Sequence, residues 1–320
     1  SRTRPFDSTD KEPGTMAQQD LAGLEEQFGL PGIVRFVRER GELDEVVVSH
    51  PRAQARVALQ GAQLLEWQPN VAQAHGRPVT WVSESAQFLV GRPVRGGVPV
   101  CWPWFGNHPE HSGAHGFARE RQWAVSAVES DSDAVTLTFT LGSDPAGLSI
   151  WPHDFRLTLT MKLGAAAELT LITQNVNHVP FTLTQGLHTY LSVKDLHLAF
   201  LDGLQARPYL DKLAGMARRR EAEAVIRFAG EMDRIYLDTE NPLILHDPAG
   251  QRQIRVEKTG SRSTVVWTPW REKAASLSGM EAEDYRGMVC IEATNAADDA
   301  VLVAPGETVR LGTRLSVEAL

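Results

Sequence analysis

The sequence predicts an all-β fold, an antiparallel sandwich of two large packed sheets. Three observations carry that prediction. Apolar and polar residues alternate with period two in Ala134–Leu141 and Phe155–Leu163, where Val, Leu, Phe and Met interleave with Thr, Arg and Lys. That is the pattern of strands with one buried and one wetter face. Many further short β runs follow at close spacing, separated by turn residues. Helical periodicity is nearly absent, and strands so numerous suit two packed sheets.

The elements follow in order. Residues 1–16 begin with a polar, patternless stretch, SRTRPFDSTDKEPGT, ahead of Met16. They read as an arm outside the fold, disordered or left over from expression. Residues 17–320 are expected to form one domain. Ala17–Phe28 is expected to hold a short helix, with Leu21, Leu24 and Phe28 on one face and Gly29 at its end. Ile33–Val37, Glu45–Ser49, Ala55–Leu59, Gln63–Gln68 and Val79–Val82 have strand length.

After the alternating pair come Glu168–Val176, Phe181–Tyr190, Leu196–Leu201, Ala224–Phe228, Ile235–Leu237, Leu243–Leu245, Gln253–Lys258, Thr264–Trp267, Met288–Thr294 and Thr308–Val317. Asp144-Pro145-Ala146-Gly147 and Asp247-Pro248-Ala249-Gly250 read as turns, with Pro second and Gly fourth. Pro305-Gly306-Glu307 makes the last turn. A helix is expected near Arg271–Leu277.

Composition narrows the function. The chain has 320 residues and a formal charge of −8, which argues against nonspecific nucleic-acid binding. The basic run Arg218-Arg219-Arg220 reads as a solvated loop or helix face. Two cysteines, Cys101 and Cys290, make no disulfide framework, and reduced thiols are expected. No apolar run approaches the roughly 20 residues that span a bilayer, and no secretory signal is visible. A monomeric cytoplasmic enzyme fits these features.

Val90–Trp123 is a long shaped loop, rich in Gly, Pro, His, Arg and Trp. Long ordered loops tend to carry function. Arg92, Arg95, Arg119 and Arg121 offer forked donors for phosphate or carboxylate. His108, His111 and His115 have a spacing that invites a metal, but Pro109 and Gly113 oppose the helix that would align them. No metal or cofactor is expected.

Elsewhere, His188 shares a strand face with Thr184, Gly186 and Tyr190. It reads either as a hydrogen-bonded histidine or as a proton-transfer group. Glu292 lies with Met288, Cys290 and Thr294 on one face of an apolar strand. Buried there, it needs a partner or a raised pKa. A salt bridge and a general base are both open. Asp233 could hold a sugar hydroxyl or be an ordinary turn residue, and Glu231 reads as solvated. The cysteines read as structural, since neither has a base beside it in sequence. Trp102, Trp104, Trp267 and Trp270 suit either core or sugar stacking.

Taken together, PVRGGVPVCWPWFG (Pro93–Gly106), HGFAR (His115–Arg119), the His188 strand, EMDRIY (Glu231–Tyr236), WTPW (Trp267–Trp270) and MVCIEAT (Met288–Thr294) resemble the glucose-6-phosphate 1-epimerases. These hexose-6-phosphate mutarotases lie within the aldose 1-epimerase superfamily. The resemblance runs from about Val34 to Val317. It departs at Thr268, where the family commonly carries Asn.

The resemblance implies a large antiparallel β-supersandwich of the galactose mutarotase-like kind. It implies interconversion of the α and β anomers of an aldohexose 6-phosphate, glucose 6-phosphate first. Glu292 would be general base and His188 general acid. Arg95 and Arg119 would hold phosphate, and Asp233 and His115 would hold the sugar. A mutarotase for unphosphorylated sugars and a noncatalytic carbohydrate-binding sandwich are the alternatives, with a metal-dependent isomerase more distant. The arginine-rich loop speaks against the first, and a paired Glu and His against the second.

Overall fold

The computed structural model describes residues 20–111 and 113–320. The expected N-terminal arm lies outside them. Two antiparallel sheets dominate. A nine-stranded sheet runs from the edge strand Val225–Arg227 through Phe200–Asp202, Leu243–Asp247, Arg252–Thr259, Thr308–Glu318, Ala166–Asn175, Phe155–Gly164 and Ala134–Gly142 to Ala124–Ser130. An eight-stranded sheet runs through Ala217–Arg220, Pro208–Asp211, Met232–Leu237, Ser263–Thr268, Met288–Asn295, Gln185–Leu187 and Val100–Cys101, with Tyr190–Ser192 added beside Met288–Asn295. Val34–Val37, Glu45–His50, Ala53–Ala58 and Gln63–Pro69 form a four-stranded sheet in chain order.

The alternating pattern has its consequence in the core. Leu137, Phe139, Leu157, Leu159, Met161, Leu169, Leu171, Leu311 and Leu315 of the nine-stranded sheet are fully buried or nearly so. They join Val289, Ile291 and Ala293 of the other sheet in one cluster. This inner face fixes the outer one: with Val289, Ile291 and Ala293 turned inward, Cys290 and Glu292 point the opposite way.

Several expectations are corrected. Val79–Val82 makes only isolated bridges, Thr80 to Leu191 and Val82 to Gly96. Phe181–Tyr190 is not one strand but Phe181–Leu183 and Gln185–Leu187, with Tyr190 beginning a third piece and His188 in the gap. Leu196–Leu201 is strand only from Phe200. Asp195 caps a turn there, its carboxylate accepting from the His197 N–H. Asp144-Pro145-Ala146-Gly147 is not a free turn but the start of the helix Pro145–Ile150, with Asp144 as N-cap and Pro at the first position. Arg218–Arg220 lie on an exposed edge strand, neither loop nor helix, where like charges discourage further pairing.

The long loop also contributes to the sheet. Val100–Cys101 pairs with Gln185–Leu187. Gly97, at φ 63°, lets the backbone press against Leu64 and Leu65, leaving no room for a side chain. The two main helices match expectation: Leu21–Phe28, capped by Asp20, and Trp270–Ser276. Among the described residues no helix is long and apolar enough to cross a membrane.

Candidate functional site

The site grows from one face of the eight-stranded sheet. Residues directly opposite each other in neighbouring strands share a face. Asp233 pairs with Trp267, Trp267 with Cys290, and Cys290 with Tyr190, making one row. Ile235, Val265 and Glu292 make the next row. This face floors a cleft of about 680 Å³ that holds Asp233, Trp267, Tyr190, Val265 and Glu292. The long loop supplies Arg92, Arg95, His115 and Arg119 to its walls. The volume falls in the usual small-molecule range of about 300–1,000 Å³.

Glu292 is 1% exposed, and its Oε2 has no hydrogen-bond partner. Burial, with a push from Asp233, holds its carboxyl well above the ordinary carboxylate range. His188 sits between two short strands. Its backbone N–H donates to the Pro99 carbonyl at 3.0 Å, which ties the long loop to this position. Its Nδ1 lies 3.6 Å from Glu292 Oε1 and makes no hydrogen bond. The ring stacks on Tyr190, with centroids 4.8 Å apart, and meets Trp267 and His115 edge-on. Burial first, then the neighbouring His115 and the charges of Arg119 and Arg95, drive the imidazole well below its ordinary value.

His115 adopts φ 70°, and its Nδ1 accepts the Gly106 N–H at 3.1 Å. Burial and the charge of Arg119 push it down to about 3, so it is neutral. Arg119 donates to the Ala114 carbonyl at 2.7 Å, while its buried Nε has no partner. Arg95 donates to the Tyr190 hydroxyl at 3.3 Å and makes longer contacts to the Ser278 carbonyl. Among the described residues neither Arg95 nor Arg119 has a carboxylate partner. Asp233 Oδ2 meets Lys212 Nζ at 2.7 Å, but its buried Oδ1 is unpartnered. Burial raises its carboxyl, and Lys212 opposes the rise.

The structure therefore gathers His188, Glu292, Arg95, His115, Arg119 and Asp233 into one cleft. Other residues fall away from it. Trp102 is core, donating to Thr173 Oγ1 at 3.1 Å, and Trp104 packs on Phe117. Trp270 packs on Tyr285. His108 and His111 stack on each other and pack against Trp104, apart from His115, which faces His188. Glu231 is exposed.

Sequence reasoning missed Lys212 and Lys273 on the cleft wall, and it did not bring Cys290 to His188. The strand alternation already placed Cys290 beside Glu292 on one face. Lys212 had no signal short of the register of Pro208–Asp211 against Met232–Leu237.

Comparison with known proteins places the chain in a family. The family model described as aldose 1-epimerase matches residues 44–316. An Escherichia coli K12 protein named "Putative glucose-6-phosphate 1-epimerase" is 36% identical over 277 residues, covering 85% of this chain and 91% of the relative. A relative of the same name from Cenchrus ciliaris is 31% identical, covering 86% and 85%. A Salmonella typhimurium crystal structure titled as that of "a putative mutarotase" superposes with a TM-score of 0.84 at 33% identity, covering 91% of this chain and 95% of that one. The galactose 1-epimerase of Lactobacillus acidophilus shares the fold at a TM-score of 0.67 and 15% identity.

Proposed function

The chain belongs to the aldose 1-epimerase family, and from that premise we propose that it interconverts the α and β anomers of an aldohexose 6-phosphate, glucose 6-phosphate first. Relatives bearing the glucose-6-phosphate 1-epimerase name support that substrate. The observation that carries the reading is the company kept by the buried His188–Glu292 pair. Two guanidinium groups without carboxylate partners, Arg95 and Arg119, line the same cleft. A dianionic phosphate suits such donors, and a neutral sugar has no use for them.

In this reading Glu292 takes the proton of the anomeric hydroxyl while His188 delivers one to the ring oxygen. The bond between C1 and the ring oxygen breaks, and C1 becomes an aldehyde. Rotation about the C1–C2 bond presents the other face. The ring oxygen then attacks C1, its proton returns to His188, and the new hydroxyl regains one from Glu292. Protons are conserved over the cycle.

Burial favours the uncharged form of both partners, so a proton must pass from Glu292 to His188 before Glu292 can act as base and His188 as acid. Ring opening needs one group to give and the other to take. Asp233 and neutral His115 hold sugar hydroxyls, and Trp267 offers an aromatic face. Every group used comes from one chain, so a monomer suffices. The two buried free thiols suit a reducing, cytoplasmic setting.

Exchange NMR on α-glucose 6-phosphate, with glucose as control, tests the proposal. Faster anomer exchange of the phosphorylated sugar supports it. Equal acceleration of both sugars would remove the phosphate assignment, and no acceleration of either would leave a binding protein.

A further inference from the structure

Cys290 takes no part in the proposed reaction, yet its thiol lies among the reacting groups. A ring nitrogen of His188, Cys290 Sγ and a carboxylate oxygen of Glu292 all lie within 4.8 Å of one another. The cause is the cross-strand row: Cys290 and Glu292 alternate on one face of Met288–Asn295, and Tyr190, opposite Cys290, carries the stacked His188 ring. His188 Nδ1 and Glu292 Oε2 are buried without hydrogen-bond partners.

We propose that His188, Cys290 and Glu292 form a binding site for a thiophilic divalent cation of the zinc and cadmium class, and that such an ion shuts down the acid–base pair. The donor set is one imidazole, one thiolate and one carboxylate, and His188 and Glu292 line the cleft from which an ion would enter. Such three-ligand sets suit zinc, whose bonds of about 2.0–2.3 Å put neighbouring ligands roughly 3.3–3.8 Å apart. His188 Nδ1 and Glu292 Oε1 already stand 3.6 Å apart, and no separation among the three ligand atoms exceeds 4.8 Å, so closure requires movements of about 1 Å, the excess over that ligand spacing.

Charge favours the same class. A divalent ion with one thiolate and one carboxylate is neutral overall, which a buried site tolerates far better than a net charge. Arg95, Arg119 and Lys212 oppose any cation here, so only a metal with a strong bond to sulfur succeeds. Magnesium and calcium, which need more oxygen ligands, do not. Binding releases the thiol proton and the proton shared by the pair. The metal then occupies the lone pairs that ring opening uses, so it inhibits.

The site stands on its ligand geometry alone; only the activity arm of the test rests on the proposed reaction. Full-length protein, stripped with a chelator, is titrated with Co²⁺. The expected result is a thiolate-to-cobalt charge-transfer band in the near ultraviolet, abolished by Zn²⁺ and Cd²⁺ and untouched by Mg²⁺. The band persists in Cys101→Ser and vanishes in Cys290→Ala and Cys290→Ser. In the activity arm, Zn²⁺ stops anomer exchange. Cys290→Ala keeps the exchange but needs at least about tenfold more Zn²⁺ for half-inhibition, as even lost outer partners weaken metal sites 10–100-fold.

A folded wild type with no thiolate band overturns the proposal, as does a band lost in Cys101→Ser instead. Should both Cys290 variants fail to fold, Glu292→Gln gives the remaining spectral arm: weakened Co²⁺ binding supports the site, and unchanged binding overturns it.

Discussion

His188 Nδ1 stands 3.6 Å from Glu292 Oε1, with both side chains buried and neither His188 Nδ1 nor Glu292 Oε2 hydrogen-bonded. At this distance the two groups are expected to titrate as a pair. A second proton arrives only well below the ordinary imidazole range, because burial holds His188 down. The shared proton leaves only well above the ordinary carboxylate range, because burial holds Glu292 up. The expected kcat profile is a plateau through neutrality, with an acid limb centred below pH 6.5 and a separate alkaline limb. Exchange NMR across pH 4–10 checks it. A single limb near pH 4.5, the signature of an independent carboxylate, would contradict the coupling.

Removing either partner should cost activity, and removing Glu292 should return stability. Glu292→Gln and His188→Asn are each expected to lower kcat by about 10²–10⁴-fold, the usual contribution of a placed proton-transfer group. The stability sign follows from the raised carboxyl. Below the unfolded pKa, both states hold the proton and the carboxyl carries no penalty. As pH rises past it, the unfolded chain releases the proton and the folded chain keeps it. Each tenfold difference in proton affinity between the two states then costs about 1.4 kcal/mol. Glu292→Gln should therefore be more stable than wild type at pH 7 and indistinguishable from it near pH 4. Thermal melts at the two values decide this. A variant less stable than wild type at pH 7 would mean the carboxyl is held ionised.

The two arginines should divide substrates, not merely slow them. A charged hydrogen bond contributes about 1.5–3 kcal/mol, or roughly 10–150-fold. Arg95→Met and Arg119→Met should each lower kcat/KM for glucose 6-phosphate by that factor. Turnover of glucose should change by no more than about threefold, well below the loss of one such bond. Arg95 is the cleaner probe, since its contacts to Ser278 are long, whereas Arg119 also secures the Ala114 carbonyl. Equal losses on both sugars would remove the phosphate role.

The parts of this fold legible in sequence are those where one face is buried and the other wet. Ala134–Gly142 and Phe155–Gly164 alternate cleanly because their inner residues meet the core and their threonines do not. Met288–Asn295 is buried throughout, yet its alternation still separated the Glu292 and Cys290 face from the Val289 and Ile291 face. The failures have the same physical root. Phe181–Tyr190 looked continuous because nothing in it breaks a strand; the break comes from long-range bonds, His188 N–H to Pro99 and Tyr190 N–H to Gly97. The site itself depended on register. That Asp233, Trp267, Cys290 and Tyr190 form one row is set by pairing among four strands remote in sequence. Only resemblance to a family brought His188 and Glu292 together in advance, and it carried no information on Lys212.

Lys212 supplies the last prediction. Its Nζ sits 2.7 Å from Asp233 Oδ2, one-third exposed against a carboxylate under one-fifth exposed. The pair is thus partly screened, and its worth lies in placing Asp233 more than in stability. Lys212 also lowers the Glu292 carboxyl, against the upward push of Asp233. Lys212→Met removes both effects. Asp233 loses its counter-charge and is held less firmly, so KM for the hexose phosphate should rise by about tenfold, the worth of one hydrogen bond near 1.4 kcal/mol. Glu292 loses a cation that favours its ionised form, so the alkaline limb of kcat should move to higher pH. Lys212→Arg should restore the limb, since it restores the charge, but not all of KM, since its fork has a different geometry. A merely structural lysine would change neither the limb nor its rescue by arginine. A Lys212→Met profile superposable on wild type would end the assignment.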